Sequence, residues 1–349
     1  VKFVLFAALG LVLLWWFAKD LNWSEVAGNV RGANWMLLAG SIALILSTYV
    51  IRALRWRTLL APVCPNVRFS NLFAATALGF SAVFLAGRAG EIVRPVILSS
   101  KDDVRPSASF ATIMIERIFD AVTVVALFAV NLLVFDTPLA GGTSLAPIRW
   151  AGGALLAASA AGIFSLVFLR RHRRGVVDVL NRHMARFGRT VRRAVVSFVS
   201  HFAEALSVLH DARELVIASA YSLLLWGICA VASLMTIRAF GLDTSLSEAI
   251  FVLGFSMVGS LVPTPGGAAG AFHTATAGGL YLLGVEENRA ASIAIVLHLI
   301  AYGSALVFGV YFLMRGGISS SRLRAALSED LNSQPDYKAA TESSAPIGA

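Results

Sequence analysis

The sequence predicts an all-α fold: a polytopic helical bundle in a membrane, with two re-entrant or short hairpins in an inverted-repeat arrangement. Three observations carry that prediction. Hydrophobic residues make up 57% of the 349 and charged residues 14%, with a mean hydropathy of +0.75, against roughly 25% charged in an ordinary soluble domain. Several runs are long and apolar enough to cross as helices, and none shows the ten-residue alternation of a β-barrel strand. Two further apolar stretches are interrupted by Gly and Pro at corresponding places in the two halves of the chain.

The runs at 1–18, 35–51, 110–135, 150–169, 215–237 and 290–314 each read as one full span. The first has Lys2 ahead of an apolar stretch, as a signal peptide would. Its apolar core is long, however, and no small-x-small cleavage site precedes Lys19, so an uncleaved helix is expected. Cys64 falls in a basic loop and Cys229 within a span, which argues against a structural disulfide and against a metal cluster. A formal charge of +9 would suggest nucleic acid in a soluble chain. Here its distribution reports topology instead.

Lysines and arginines mark the cytoplasmic ends of spans. Arg52, Arg55, Arg57 and Arg68 follow the second run, nine arginines from Arg170 to Arg193 follow the fourth, and Arg315, Arg322 and Arg324 follow the last. The opposite loops are poor in positive charge, holding Lys19 and Arg31, then Arg149, Arg238 and Arg289. Both termini are therefore expected in the cytoplasm. With the loops at 52–68 and 101–105 on one side, residues 70–100 must enter and leave the membrane on that side. About 30 residues at 1.5 Å each are too few for two full crossings and a turn, and suit a helical hairpin reaching partway in. Residues 248–285, between the charge-poor loops, form a second such unit entering from outside. Ordinary tight hairpins with glycine turns would leave the same pattern, so both forms stay open. The reading gives a membrane domain over 1–314, with halves at about 35–135 and 215–314. A basic amphipathic segment, 170–213, links them, and a polar, Ser-rich tail, 315–349, reads as disordered.

Charge inside these apolar stretches demands a reason, since each ion at a bilayer centre costs about 2.5 to 3.5 kcal/mol on insertion scales. GRAGEIVRP, at the turn of the first hairpin, places Arg88, Glu91 and Arg94 three residues apart, so a helical arm would gather them near one face as an Arg–Glu–Arg ladder. In FATIMIERIFDAVTVVALF, Glu116 and Asp120 are four apart on one face and Arg117 lies beside them. Asp120 sits deep in its span and needs a cation. The cheapest arrangement docks the hairpin beside this helix, so that Arg88 or Arg94 meets Glu116 or Asp120 and Arg117 meets Glu91. Such pairs serve either to hold a ligand or to brace the fold, and the residue types alone fit both. In VPTPGGAAGAFH, Pro263 and Pro265 break the helix, and Gly266, Gly267 and Gly270 let backbone approach a ligand closely. His273 could donate to an anion, relay a proton or simply pack, and His298 reads as packing.

GRAGEIVRP, ERIFD and PTPGG followed by a small-residue run, in this order and spacing, resemble the lysylphosphatidylglycerol synthase transmembrane family, also called flippase-like integral membrane proteins. The resemblance covers nearly all of residues 35–314. It implies translocation of a lipid, or a related step on a lipid-linked substrate. It also implies a substrate site of Arg88, Glu91, Arg94, Glu116, Arg117 and Asp120 with Pro265, Gly266 and Gly267. Many relatives have an acid shortly after the glycines. Phe272 and His273 occupy that place here, so a carboxylate-dependent step does not carry over. The residues after Met314 leave no room for an aminoacyl-transferase, so lysine transfer is not expected of this polypeptide.

No G-x-x-x-x-G-K-[ST] loop occurs, and neither a nucleotide, another cofactor nor a metal is expected. The arginines of 170–213 accompany apolar residues at helical spacing, among them Val195, Phe198, Val199 and Phe202, as in an interfacial helix; fixing orientation explains them sufficiently. No aromatic residues interleave them as a stacking platform, which argues against nucleic acid. The expected partners are an anionic membrane lipid and a lipid-modifying enzyme, and the expected location is the bacterial inner membrane. Three functions follow from the residues: a translocase for an anionic headgroup, an intramembrane transferase or phosphatase using Glu91 or Asp120 as base, and a non-transporting partner of a lipid-modifying enzyme.

Overall fold

A computed structural model describes residues 2–62, 64–102, 104, 106–134, 139, 144, 146–172, 175, 179, 212–262 and 264–315. Regular structure among them is entirely helical. The helices are α1 (Lys2–Ala18), α2 (Trp23–Arg31), α3 (Trp35–Leu60), α4 (Phe69–Ala86), α5 (Val93–Lys101), α6 (Pro106–Val134), α7 (Ala146–Arg171), α8 (Ala212–Ala239), α9 (Leu246–Gly259), α10 (Ala271–Leu282) and α11 (Glu287–Met314). The amphipathic segment read at 170–213 and the tail read at 315–349 lie almost wholly outside the described residues.

Helix starts follow from capping chemistry. Asn34 accepts from the backbone N–H groups of Met36 and Leu37 at the start of α3. Ser245 and Glu248 form a reciprocal capping box at α9, and Glu286 accepts from Asn288 and Arg289 at α11. Four helices among the described residues, α3, α6, α8 and α11, are long and apolar enough to cross a membrane. The other two expected spans are helical as α1 and α7, with several of their side chains outside the described set.

One boundary differs from the sequence expectation. The second run does not end at Ile51; α3 continues through the arginines to Leu60. The reason is its buried stripe of Ala53, Trp56, Leu59 and Leu60, which recurs at helical spacing and packs inward whatever the charges between.

α3 and α8 form the central pair. Small residues let them approach closely: Ser41 Oγ donates to the Ala232 carbonyl at 2.9 Å and lies 2.8 Å from Thr236 Oγ1. Against this pair sit two antiparallel hairpins. In the first, α4 and α5 are joined by a 3-10 turn at Gly87–Ile92, and Asn71 Nδ2 donates to both carboxylate oxygens of Asp102 at the open end. In the second, α9 and α10 are tied by Ser256 and Thr276, whose hydroxyls lie 2.8 Å apart. The turn of the second hairpin packs against α4 and the 3-10 turn of the first. α1 covers that meeting from the side, with Phe17 stacked on His273 at 5.1 Å.

Candidate functional site

The ERIFD stretch of α6 presents Glu116 and Asp120 one turn apart on a single buried face. Three arginines converge on them. Arg94 of α5 makes a two-pronged contact with Glu116, Nη1 to Oε1 at 3.1 Å and Nη2 to Oε2 at 3.0 Å. Arg55 of α3 does the same with Asp120 at 2.6 and 3.2 Å, and its Nη2 also lies 3.1 Å from Glu116 Oε1. Arg117 reaches Glu116 at 2.7 Å and Asp120 at 3.2 Å. From α8, Trp226 Nε1 donates to Asp120 Oδ1 at 3.1 Å, and the Ser222 hydroxyl receives Arg55 Nη1 at 2.7 Å.

This lattice of charge-assisted bonds is what offsets removal from water. Side-chain exposure is 0% for Arg55 and Glu116, 2% for Arg94 and 8% for Asp120, whereas Arg117 keeps 32%. Three guanidiniums therefore face two carboxylates, and the partly open member is a cation. The Nε–H groups of Arg55, Arg94 and Arg117 are buried without an acceptor. The centre has donors in excess of what its own acids satisfy.

Room for Arg94 comes from Gly79 on α4, where an added Cβ would overlap the arginine's Cγ and lie 2.9 Å from its Cδ. The guanidinium then lies 4.3 Å from the Trp56 ring centroid, while Trp56 Nε1 donates to Thr112 Oγ1 at 3.0 Å.

The expected hairpin–helix docking is present through Arg94 and Glu116. The expected ladder is not, because Arg94 turns to Glu116 and residues 87–92 form a 3-10 turn rather than a continuous helical arm. Arg88 lies in that turn, and its side chain is outside the described set. Glu91 is half-buried and acts on Arg117 through space, while Arg117 takes Glu116 and Asp120 as direct partners instead. Sequence reasoning missed Arg55, Ser222 and Trp226. The one sequence signal for Arg55 was that Asp120 needed a cation; nothing local set it apart from Arg52 and Arg57.

At the second turn, Gly266, Gly267 and Ala268 run consecutively left-handed, with φ of 73°, 64° and 62°. Gly267 has two reasons to be glycine: its φ, and a Tyr302 ring whose Cγ would lie 2.8 Å from an added Cβ. Pro265 opens this turn and its side chain lies outside the described set, as does all of Pro263. Gly270, at φ 85°, would meet the backbone of α1 if it carried a Cβ. His298 Nε2 donates to the Gly267 carbonyl at 3.1 Å, which assigns its proton to that nitrogen. It stands next to a π-helical segment of α11, Leu299–Gly303, that also delivers Tyr302 to Ser260. His273 is buried, 4.6 Å from His298 ring to ring, with its Nε2 unpartnered. Among the described residues no three His, Cys, Asp or Glu side chains gather as a metal-binding group.

A helical membrane protein with a walled-in ionic centre beside two meeting hairpin turns is the class these features define. A family profile described as the lysylphosphatidylglycerol synthase TM region matches residues 3–309, and the chain belongs to that family. Among curated proteins it is similar to glycosyltransferase AglD of Haloferax volcanii, at 21% identity over 311 residues covering 82% of this chain and 50% of the relative. The chain thus spans about half the length of the curated relative it matches. Family and relative together indicate a function connected with membrane lipids.

Proposed function

We propose that this protein is a lipid translocase, passing an anionic phospholipid or lipid-linked headgroup between leaflets while the acyl chains stay in the bilayer. The observation that carries the reading is the surplus of guanidinium over carboxylate at an enclosed centre whose partly open member is Arg117. A phosphate oxygen is the natural acceptor for donors left over there, because the planar guanidinium fork matches phosphate geometry. The left-handed glycine turn supplies backbone at close range, as interrupted helices do at midplane sites.

In this reading the two hairpins enter from opposite faces as an inverted repeat. The site comprises Arg88, Glu91, Arg94, Glu116, Arg117, Asp120 and the turn from Pro265 to His273, with both termini in the cytoplasm of a cell whose inner membrane holds the protein. The test is reconstitution into vesicles with a fluorescent phosphatidylglycerol in one leaflet, following access of a membrane-impermeant quencher. The wild type should equilibrate the probe, and Arg117→Gln should slow it about tenfold or more while folding normally. A wild type that leaves the probe in its original leaflet overturns the proposal.

A second reading is favoured by the name of the curated relative, a glycosyltransferase of about twice the matched length. In it the chain is the membrane partner of a lipid-modifying enzyme. Co-purification of such an enzyme, with no headgroup movement by the chain alone, would support this reading over the first.

A further inference from the structure

A groove opens at the end of the bundle where α3 starts and α8 stops. The Asn34 N–H donates to the Ala239 carbonyl there at 2.7 Å, whereas Arg55 of the ionic centre lies about 30 Å further along α3 at 1.5 Å per residue. The groove encloses about 390 Å³ between one face of α2 and the first turn of α11, at the small end of the range for ligand pockets.

Glycine keeps it open. Gly28 and Gly32 lie beside Glu25 and Asn29 on the α2 wall, and a Cβ at Gly28 would meet nothing within 4 Å. That glycine therefore serves no close packing, although it weakens its helix. Hydrogen bonds fix the two walls. The Asn22 N–H donates to Asn288 Oδ1 at 3.0 Å, Asn288 Nδ2 to Glu25 Oε2 at 2.9 Å, and Asn29 Nδ2 to Ser292 Oγ at 3.4 Å. A site set in advance loses less freedom on binding.

What the walls leave unmet decides the ligand. Among the described residues, Glu25 Oε1 and Asn29 Oδ1 receive no donor. Arg289 spends Nη2 on the Phe240 carbonyl and keeps Nε and Nη1 free of protein acceptors. Glu286 joins the lining, so two carboxylates face one guanidinium, with acceptors and donors side by side. A phosphodiester has no proton for those acceptors and meets net negative charge. An ammonium has no lone pair for Arg289 and meets it as a like charge. A hydroxyl both gives and accepts. The rings of Trp23 and Trp35, which open α2 and α3, are both exposed, as aromatic residues are at a membrane–water interface. They set the groove at headgroup depth.

We propose that this groove is a second binding site, separate from the ionic centre, for the neutral, hydroxyl-rich headgroup of a glycolipid. None of its residues belongs to the translocase site, so it stands apart from that reading.

Native mass spectrometry tests it, on protein purified in a detergent without sugar groups and titrated with monoglucosyl diacylglycerol, diacylglycerol, methyl glucoside, choline or calcium. The wild type should retain the glycolipid over diacylglycerol and should retain neither choline nor calcium. Gly28→Leu fills the groove and should lower glycolipid occupancy about tenfold or more, with an unfolding temperature no lower than that of the wild type, since leucine is the better helix former. Should that variant not fold, Glu25→Gln keeps the size of the side chain, replaces an acceptor by a donor, and should also lower occupancy about tenfold. Equal retention by the foldable variant, or equal retention of diacylglycerol, overturns the site. Retention of choline or calcium in place of the glycolipid overturns the hydroxyl assignment, and binding of methyl glucoside without the glycolipid overturns the lipid-borne source.

Discussion

Glu116 meets three arginines with two oxygens, so its loss is felt at Arg55, Arg94 and Arg117 together. Replacing it by leucine should destabilise the protein by about 3 to 5 kcal/mol, the range for removing one partner of a buried ionic group. Thermal unfolding in detergent would measure this. Adding Arg94→Leu should recover part of the loss, because the stranded cation goes with it. Gly79→Ala is the subtler probe: a single methyl would displace Arg94 from Glu116, with a cost of about 1 to 3 kcal/mol expected from overpacking. At this scale the acidic pair was legible in the sequence, because Glu116 and Asp120 are local neighbours and a buried acid must find a cation. Arg55 was hidden because it sits amid Arg52 and Arg57, where a charge run reads as a loop. Only packing over the length of α3 separates the buried arginine from its solvated neighbour Arg57. The second half of the centre, Ser222 and Trp226, is joined across about a hundred residues or more and has no local signature.

Helices and turns carry a different kind of information. The interruption at PTPGG was legible since proline removes a donor and consecutive glycines admit left-handed backbone, and the structure has that backbone at Gly266 and Gly267. Gly267→Ala adds both a strained φ and a clash with Tyr302, and should cost more than the roughly 1 to 2 kcal/mol of the left-handed conformation alone, read as a lowered unfolding temperature. Ser245→Ala removes one side of the α9 capping box and should cost about 1 kcal/mol by the same measurement. The π-helical segment at Leu299–Gly303 was not legible, because the residues LIAYG have ordinary helical character and only the contacts of His298 and Tyr302 with the second turn explain the widened coil.

Over the whole molecule, the apolar runs and their Gly/Pro interruptions announced a helical membrane protein, and composition was enough for that. How helices from distant parts of the chain meet was not available from it, since small residues such as Ser41 make the α3–α8 contact without a pattern of their own. The proposed orientation has a simple test in the native thiols, Cys64 half-exposed and Cys229 buried. A membrane-impermeant maleimide should label one thiol from the side of the arginine-rich loops, Cys64→Ser should abolish labelling, and Asp243→Cys should react from the opposite side. Reversed accessibility would overturn the orientation.

The hydrogen bond from His298 to the Gly267 carbonyl makes α11 and the second turn one mechanical piece. Sliding would then fall to the seam between α4 and α11, which is stitched by the Ser81 hydroxyl on the Ala305 carbonyl and is narrow enough that a Cβ at Gly309 would sit 2.7 Å from Ser81 Cβ. A methyl at position 309 would wedge that seam open, so Gly309→Ala should lower the unfolding temperature and, in the translocase proposed above, should slow headgroup exchange as well.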